Sequence, residues 1–289
     1  KWFSLDGAPE DVGFRRGNTF AAVAEECRAV RERVGIMDLS SFAKFDVCGP
    51  DAENMLNHLT ANKVPKRAGG IGLMHMLTEN GCIESEVTVT RLADDRFYVL
   101  SGGGAEEKDW DMMTQGKLNT HDATITNVTD DYGLLVLGGP KSRDVLSTLT
   151  DSPLDNDNFR WLTGQEITVA GVAVRALRVS YVGELGWELH VPMAQLETVY
   201  DALWQAGQEH GIANFGAYAL NSMRMEKSYR GLHSELTNEI TLIESDMERF
   251  FAPGKDGDFV GREATLQRKQ DGISIKLAYV EVDATDNDV

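Results

Sequence analysis

Two stretches of the sequence place carboxylates where they could do chemistry. In IESEVTVT, residues 83–90, strand alternation puts Glu84, Glu86, Thr88 and Thr90 on one face and Ile83, Ser85, Val87 and Val89 on the other. In YVGELGWELHVP, residues 181–192, it groups Trp187, Leu189 and Val191 and sets Glu188 and His190 opposite them. A carboxylate held out of water needs donors to offset its desolvation. Two N–H groups on a planar heterocycle would supply them, in charge-assisted bonds of about 1.5 to 3 kcal/mol each. The competing reading of the acidic row is a solvated face, since antiparallel sheets often keep one wet side. For Glu188 the competitor is exposure, or an ion pair with an arginine such as Arg178. Glu184, inside the turn from Gly183 to Gly186, is expected to face solvent.

Other chemistries find less support. The glycine run SGGGAEEKDW, residues 101–110, lacks the Lys-Ser/Thr sequel of a phosphate loop, and Glu106 and Glu107 already occupy the helix start that an anion would use. GGIG at 69–72 lacks the dinucleotide spacing. The six histidines form no HxH or HxxxH pair, so no metal site is expected. There is no GxSxG elbow, and the acids around Cys82 should raise its thiol pKa and blunt it as a nucleophile. NSMRMEKSYRG, residues 221–231, reads as a salt-bridged helix face.

The elements that must position these groups follow from periodicity. TFAAVAEECRAVRERV, residues 19–34, predicts a helix with Phe20, Val23, Cys27, Val30 and Val34 inward. FDVCGPDAENMLNHLT (45–60) and LLVLGGPKSRDVLSTLT (134–150) repeat one phrase: strand, Gly-Pro, helix. The proline suits a first helical turn, where its missing N–H has no intrahelical partner. Between the two units lie strands turning at Glu79-Asn80-Gly81 and around Ala93-Asp94-Asp95, then a helix over about 105–118. After them come strands joined at Ala170-Gly171 and at Gly183 to Gly186, then helices over 194–210 and about 216–229. Strands mixed with helices, without strict alternation, predict an α+β fold.

The 289 residues allow two or three domains or one elaborate α+β unit. With 28 basic and 46 acidic residues the net charge is −18, which argues against nucleic acid and anionic membranes as partners. Cys27, Cys48 and Cys82 suggest neither a disulfide framework nor a zinc cluster, and fit a reducing cytoplasm. No apolar run reaches the roughly 18 to 20 residues of a membrane span, and KWFSLDGAPEDVG lacks the core of a signal peptide. The chain starts at Lys1 and closes on IKLAYVEVDATDNDV, an alternating strand in want of neighbours, which reads as a piece of a longer polypeptide.

GIMDLSSFAKFDVCGPDAENMLNHLTANKVP (35–65), ENGCIESEVTVTRL (79–92), VSYVGELGWELHVP (179–192) and GAYALNSMRMEKSYRG (216–231), in that order, resemble the glycine-cleavage T-protein (aminomethyltransferase) folate-binding family. The likeness is nearest to the C-terminal modules of dimethylglycine and sarcosine dehydrogenases. It implies a T-protein-like α+β fold with antiparallel sheets, a tetrahydrofolate-binding region over 1–245, and a linker plus the start of a C-terminal β-barrel over 246–289. It implies that Tyr181 and Glu188 contact the pterin, that Thr88 lines the folate site, and that Glu86 is the catalytic carboxylate near the nitrogens receiving a one-carbon unit.

The expected function is then capture of formaldehyde or an iminium equivalent on tetrahydrofolate, giving 5,10-methylenetetrahydrofolate. Its source would be an N-demethylating domain of the same polypeptide, and FAD, if used, would belong to that preceding domain. Direct methyl transfer to tetrahydrofolate and a non-catalytic scaffold are the alternatives, and a homo-oligomer is compatible with either. Four places depart from the family pattern, the first being NGCIE (80–84), where relatives usually have two adjacent glycines. Glu86 stands where the family has aspartate, so an unchanged backbone would displace its carboxylate by more than about 1 Å, enough to cost on the order of 100-fold in rate. Leu220 stands where the T-protein proper has arginine. LIESDMERFF (242–251) replaces a glycine-containing turn after the family's glutamate, here Glu244.

Overall fold

The structure, a computed structural model, describes residues 9–11, 13 and 16–283. Its first helix, α1 (Phe20–Glu32), buries Ala29, Val30 and the carboxylate-bearing Glu26, whose Oε2 accepts the Gly216 N–H at 2.8 Å. Phe20 does not face inward as its spacing predicts. It sits at the start of the helix, 49% exposed, with the Arg16 guanidinium 4.4 Å above its ring. Strands β1 (Gly35–Asp38) and β2 (Ala43–Cys48) lead into α2 (Ala52–Leu59). A meander of β3 (Ile71–Leu77), β4 (Ile83–Ala93) and β5 (Arg96–Ser101) follows, then α3 (Glu106–Gly116) and β6 (Thr124–Asn127).

The second strand-turn-helix unit is β7 (Tyr132–Gly138) and α4 (Ser142–Ser147). It copies the first down to individual hydrogen bonds. Gly49 and Gly139 have φ of +133° and +126°, and a Cβ there would lie 2.5 Å from Asp122 O and 2.6 Å from Arg33 O. Those same carbonyls accept the N–H groups of Asp51 and Lys141, two residues on. The prolines sit one residue ahead of the helix caps Asp51 and Lys141, and so precede the first helical turn in which they are expected. They occupy a tight turn closed by Ala52 N–H to Gly49 O and Ser142 N–H to Gly139 O, both 3.0 Å, where a preset φ is equally apt.

The remaining elements are β8 (Gly164–Val169), β9 (Val172–Leu177), β10 (Gly186–Pro192), α5 (Leu196–Gly207), β11 (Ala213–Asn214), α6 (Ala217–Glu226) and α7 (Arg262–Asp271). Two sheets result, with strand orders β11-β1-β7-β10-β9-β8 and β3-β4-β5-β2-β6, antiparallel except for the β11-β1 pair. Each sheet packs one face on its own helices. Ile36, Leu135, Leu137, Trp187 and Leu189 meet Val145, Leu146, Val199 and Leu203 of α4 and α5. Phe45, Val47, Val87, Val89 and Phe97 meet Met55 and Leu56 of α2 and Met113 of α3. The other faces, by the same alternation, carry Lys44, Asp46, Glu86, Thr88, Thr90 and Tyr98 on one sheet and Arg175, Glu188 and His190 on the other.

A third cluster, built by Leu236, Leu242, Met247, Phe251 and Phe259, covers the β3 edge through Leu77 and Ile83. Beyond α7 the alternating stretch forms no strand among the described residues. Its backbone is tied by Leu277 N–H to Glu244 O at 2.8 Å, and Tyr279, Val280 and Val282 are exposed. The expected opening strand of a barrel pairs with no strand among the described residues, and an unpaired strand has nothing to hold it straight.

Candidate functional site

Glu188 points inward. Its side chain is 15% exposed, and its Oε2 is buried without any hydrogen-bond partner. The expected alternative partner, Arg178, is engaged elsewhere, donating to Phe159 O and to Asn156 Oδ1. The neighbour that does approach is His190, whose Nε2 lies 3.8 Å from Glu188 Oε2, beyond hydrogen-bond distance. His190 is fully buried and burial lowers its pKa, so the ring is neutral and carries one proton. Its Nδ1 and the Tyr98 hydroxyl share a hydrogen bond at 3.0 Å, while its Nε2 is buried without a partner.

Tyr98 belongs to the other sheet, so this bond closes the seam between the two. Arg175 reinforces it from above, 4.3 Å from the Tyr98 ring, 3.7 Å from Asp46 Oδ1 and hydrogen-bonded to Glu166 at 2.9 Å. Lys44, also within the seam, is fully buried and donates to Ser40 O and Phe42 O at 2.8 and 2.7 Å. Burial holds its pKa below the usual lysine range. None of Lys44, Asp46, Tyr98 or Arg175 was expected in the site, although AKFDVC at 43–48 alternates as plainly as IESEVTVT does. Their signal is that period-two pattern, which sets Lys44 and Asp46 on one face and Ala43, Phe45 and Val47 on the other.

Glu86 lies on β4 with an 18% exposed side chain. Its Oε2 accepts from His75 Nε2 at 2.8 Å. Thr88, half-buried, is the next residue on that face, flanked by Leu73 and Leu100. Tyr181, 36% exposed, lies in the loop before β10. Its hydroxyl donates to Arg230 O at 2.6 Å, and its ring stacks on Tyr229 at 5.9 Å with planes 17° apart. Burial pushes the Tyr181 hydroxyl up to about 12, with the charges of Glu86 and Glu235 raising it and Arg224 opposing. Glu86 and Tyr181 therefore share one electrostatic neighbourhood. Arg224 holds the Tyr229–Glu235 loop behind Tyr181, donating to Tyr229 O at 2.8 Å and Glu235 Oε2 at 2.6 Å.

Glu184 corrects its expectation of facing solvent. Arg31 of α1 donates to Glu184 Oε1 at 2.8 Å and to Val182 O at 2.7 Å, and also bonds Met223 O and Glu226 of α6. One guanidinium thus pins the 183–186 turn to two helices. Glu244 likewise lies outside the cleft, 2% exposed, accepting from Thr241 N–H and Oγ1 and from Arg268. Leu220 packs beside Val136, Val182 and Met223. Cys82 has its thiol pKa raised, chiefly by burial, with Arg268 opposing and Glu244 adding to it. A cavity of about 250 Å³ opens at the Glu84 end of the acidic row, lined in part by Lys108, Leu236 and Asn238.

The arrangement offers a buried carboxylate oxygen that lacks a donor, a flat stacked tyrosine pair, and a second carboxylate fixed by an imidazole. A buried carboxylate oxygen of this kind is satisfied by an N–H donor. The family described as GCVT N-terminal domain matches residues 2–255. Mouse (Mus musculus) mitochondrial dimethylglycine dehydrogenase is 38% identical over 289 residues, covering 99% of this chain and 33% of that protein. The chain thus spans about a third of the length of that relative. An aminomethyltransferase from Thermoanaerobacter sp. (strain X514) is 29% identical, covering 91% of this chain and 71% of its own. The crystal structure of aminomethyltransferase T from Bartonella henselae shares the fold, with a TM-score of 0.79 at 22% identity over 93% of this chain and 73% of that one.

Proposed function

Because this chain belongs to the GCVT N-terminal domain family, and is an enzyme module of it, we propose that it binds tetrahydrofolate in the seam between its sheets and loads a one-carbon unit onto it. The observation that carries the reading is Glu188 Oε2, buried and without a donor, on a strand facing inward. A pterin offers that oxygen an amino group and a ring N–H. Glu188 and Tyr181 hold the ring, and Thr88 lines the same cleft. Tetrahydrofolate, when bound, supplies the nucleophilic nitrogens. Glu86 would accept the proton released as the first nitrogen bonds to the incoming carbon; as the second nitrogen closes the ring, the carbon's former oxygen would leave as water, or the amine of an iminium equivalent as free amine.

The carbon arrives as formaldehyde or an iminium equivalent from an N-demethylating domain of the same polypeptide, and the product is 5,10-methylenetetrahydrofolate. The length of the dimethylglycine dehydrogenase relative, about three times this chain, supports such a domain. FAD, if it takes part, belongs there. Titration calorimetry with tetrahydrofolate tests the binding. Glu188→Ala should weaken it by about 10- to 100-fold, the equivalent of one charge-assisted pair. No heat from the unaltered protein at millimolar ligand defeats the reading. Glu86→Gln should lower turnover on the order of 100-fold while affinity holds. A 5-methyl product would indicate direct methyl transfer instead, and full turnover by Glu86→Gln would leave a scaffold.

A further inference from the structure

The imidazole beside Glu86 has no role in the reading above, yet it is among the most constrained side chains in the molecule. His75 is the direct cross-strand partner of Glu86 on β3. Its side chain is fully out of water, with Phe250 packed 5.6 Å from the ring, and its backbone carbonyl accepts the Ala61 N–H at 2.8 Å. Its Nε2 meets Glu86 Oε2 at 2.8 Å while its Nδ1 is buried with no partner. An ionised carboxylate only accepts, so Nε2 carries a proton and donates. A second proton on Nδ1 would be buried without an acceptor. The ring is held as the neutral Nε2–H tautomer, aimed at one oxygen of one residue.

From this geometry we infer that His75 is a positioning residue for Glu86. A glutamate carboxylate sits at the end of three rotatable bonds. The bond to His75 holds it across the ladder toward β3 and fixes those rotors. It occupies Oε2 and leaves Oε1 for the reacting nitrogen. The inference rests on the proposed role of Glu86 in one-carbon loading.

Two measurements test it. In the ligand-free protein, two-bond ¹H–¹⁵N spectra of the histidine rings should give His75 a protonated Nε2 and an unprotonated Nδ1, and Glu86→Gln should perturb both. The opposite tautomer overturns the inference. In the native polypeptide, His75→Leu should lower kcat by roughly 10- to 100-fold, the scale of a misplaced group, with tetrahydrofolate affinity unchanged. His75→Gln, which keeps an N–H donor, should recover most of the loss. In the Glu86→Gln background His75→Leu should add nothing further. An equal loss in that background marks a merely structural histidine and defeats this inference alone. Failure of the unaltered protein to bind tetrahydrofolate, or full turnover by Glu86→Gln, defeats the functional reading first and this inference with it.

Discussion

At the scale of single residues, buried lysines and histidines set the terms of stability as well as of chemistry. Lys255 is 8% exposed and donates to Thr60 O and to Asn62 O, the latter at 2.8 Å, with no carboxylate beside it. Burial pushes its pKa from 10.5 down to about 7. Between those values the unfolded chain keeps a proton that the folded chain releases, so stability rises with pH across that window. Below about pH 7 both states are protonated and the full cost of burying the ammonium remains. Urea midpoints taken from pH 7 to 10 should therefore climb for the wild type, and Lys255→Met should flatten that climb. An unchanged slope in the variant would assign the titration to another group. Tyr98→Phe acts by a different route, leaving His190 Nδ1 buried without a partner, and should cost about 1 to 3 kcal/mol by urea unfolding.

At the scale of elements, the Gly-Pro turns decide where α2 and α4 start. Gly139→Ala would push a Cβ to within 2.6 Å of Arg33 O at a φ of +126°. Strain and overpacking together should destabilise the protein by roughly 2 kcal/mol or more, seen as a lowered melting temperature, and Gly49→Ala should behave alike. These turns were legible in the sequence because glycine and proline each answer to one local constraint. So were the β3-β4 and β8-β9 turns, the latter with positive φ at both Ala170 and Gly171. Inward placement of Glu86, Thr88 and Glu188 followed from alternation once a second sheet was allowed to cover their face. Glu184 and His75 were not legible. Their partners, Arg31 and Glu86, lie 153 and 11 residues away, and no local period encodes a pairing made by the meeting of a helix with a turn or by the register of a hairpin. The terminal stretch failed for the reverse reason: its pattern is local, but strand formation depends on a neighbour.

At the scale of the whole molecule, two sheets turn apolar faces outward onto helices and set polar groups toward each other, while Met37 and Val136 on the inner face of the six-stranded sheet pack against α1 and α6. Each half secures its fold through a core on its own outer side. Across the seam run the hydroxyl of Tyr98 on His190, the guanidinium of Arg175 over Tyr98 and near Asp46, and backbone bonds at one end, Gly164 N–H to Gly69 O at 2.7 Å and Ile71 N–H to Leu162 O at 3.1 Å. This division of labour has a consequence for how such a protein changes over generations. Residues lining the gap can be exchanged while the two outer shells go on folding as before. The frame is a vise whose jaws hold their shape independently of what they grip.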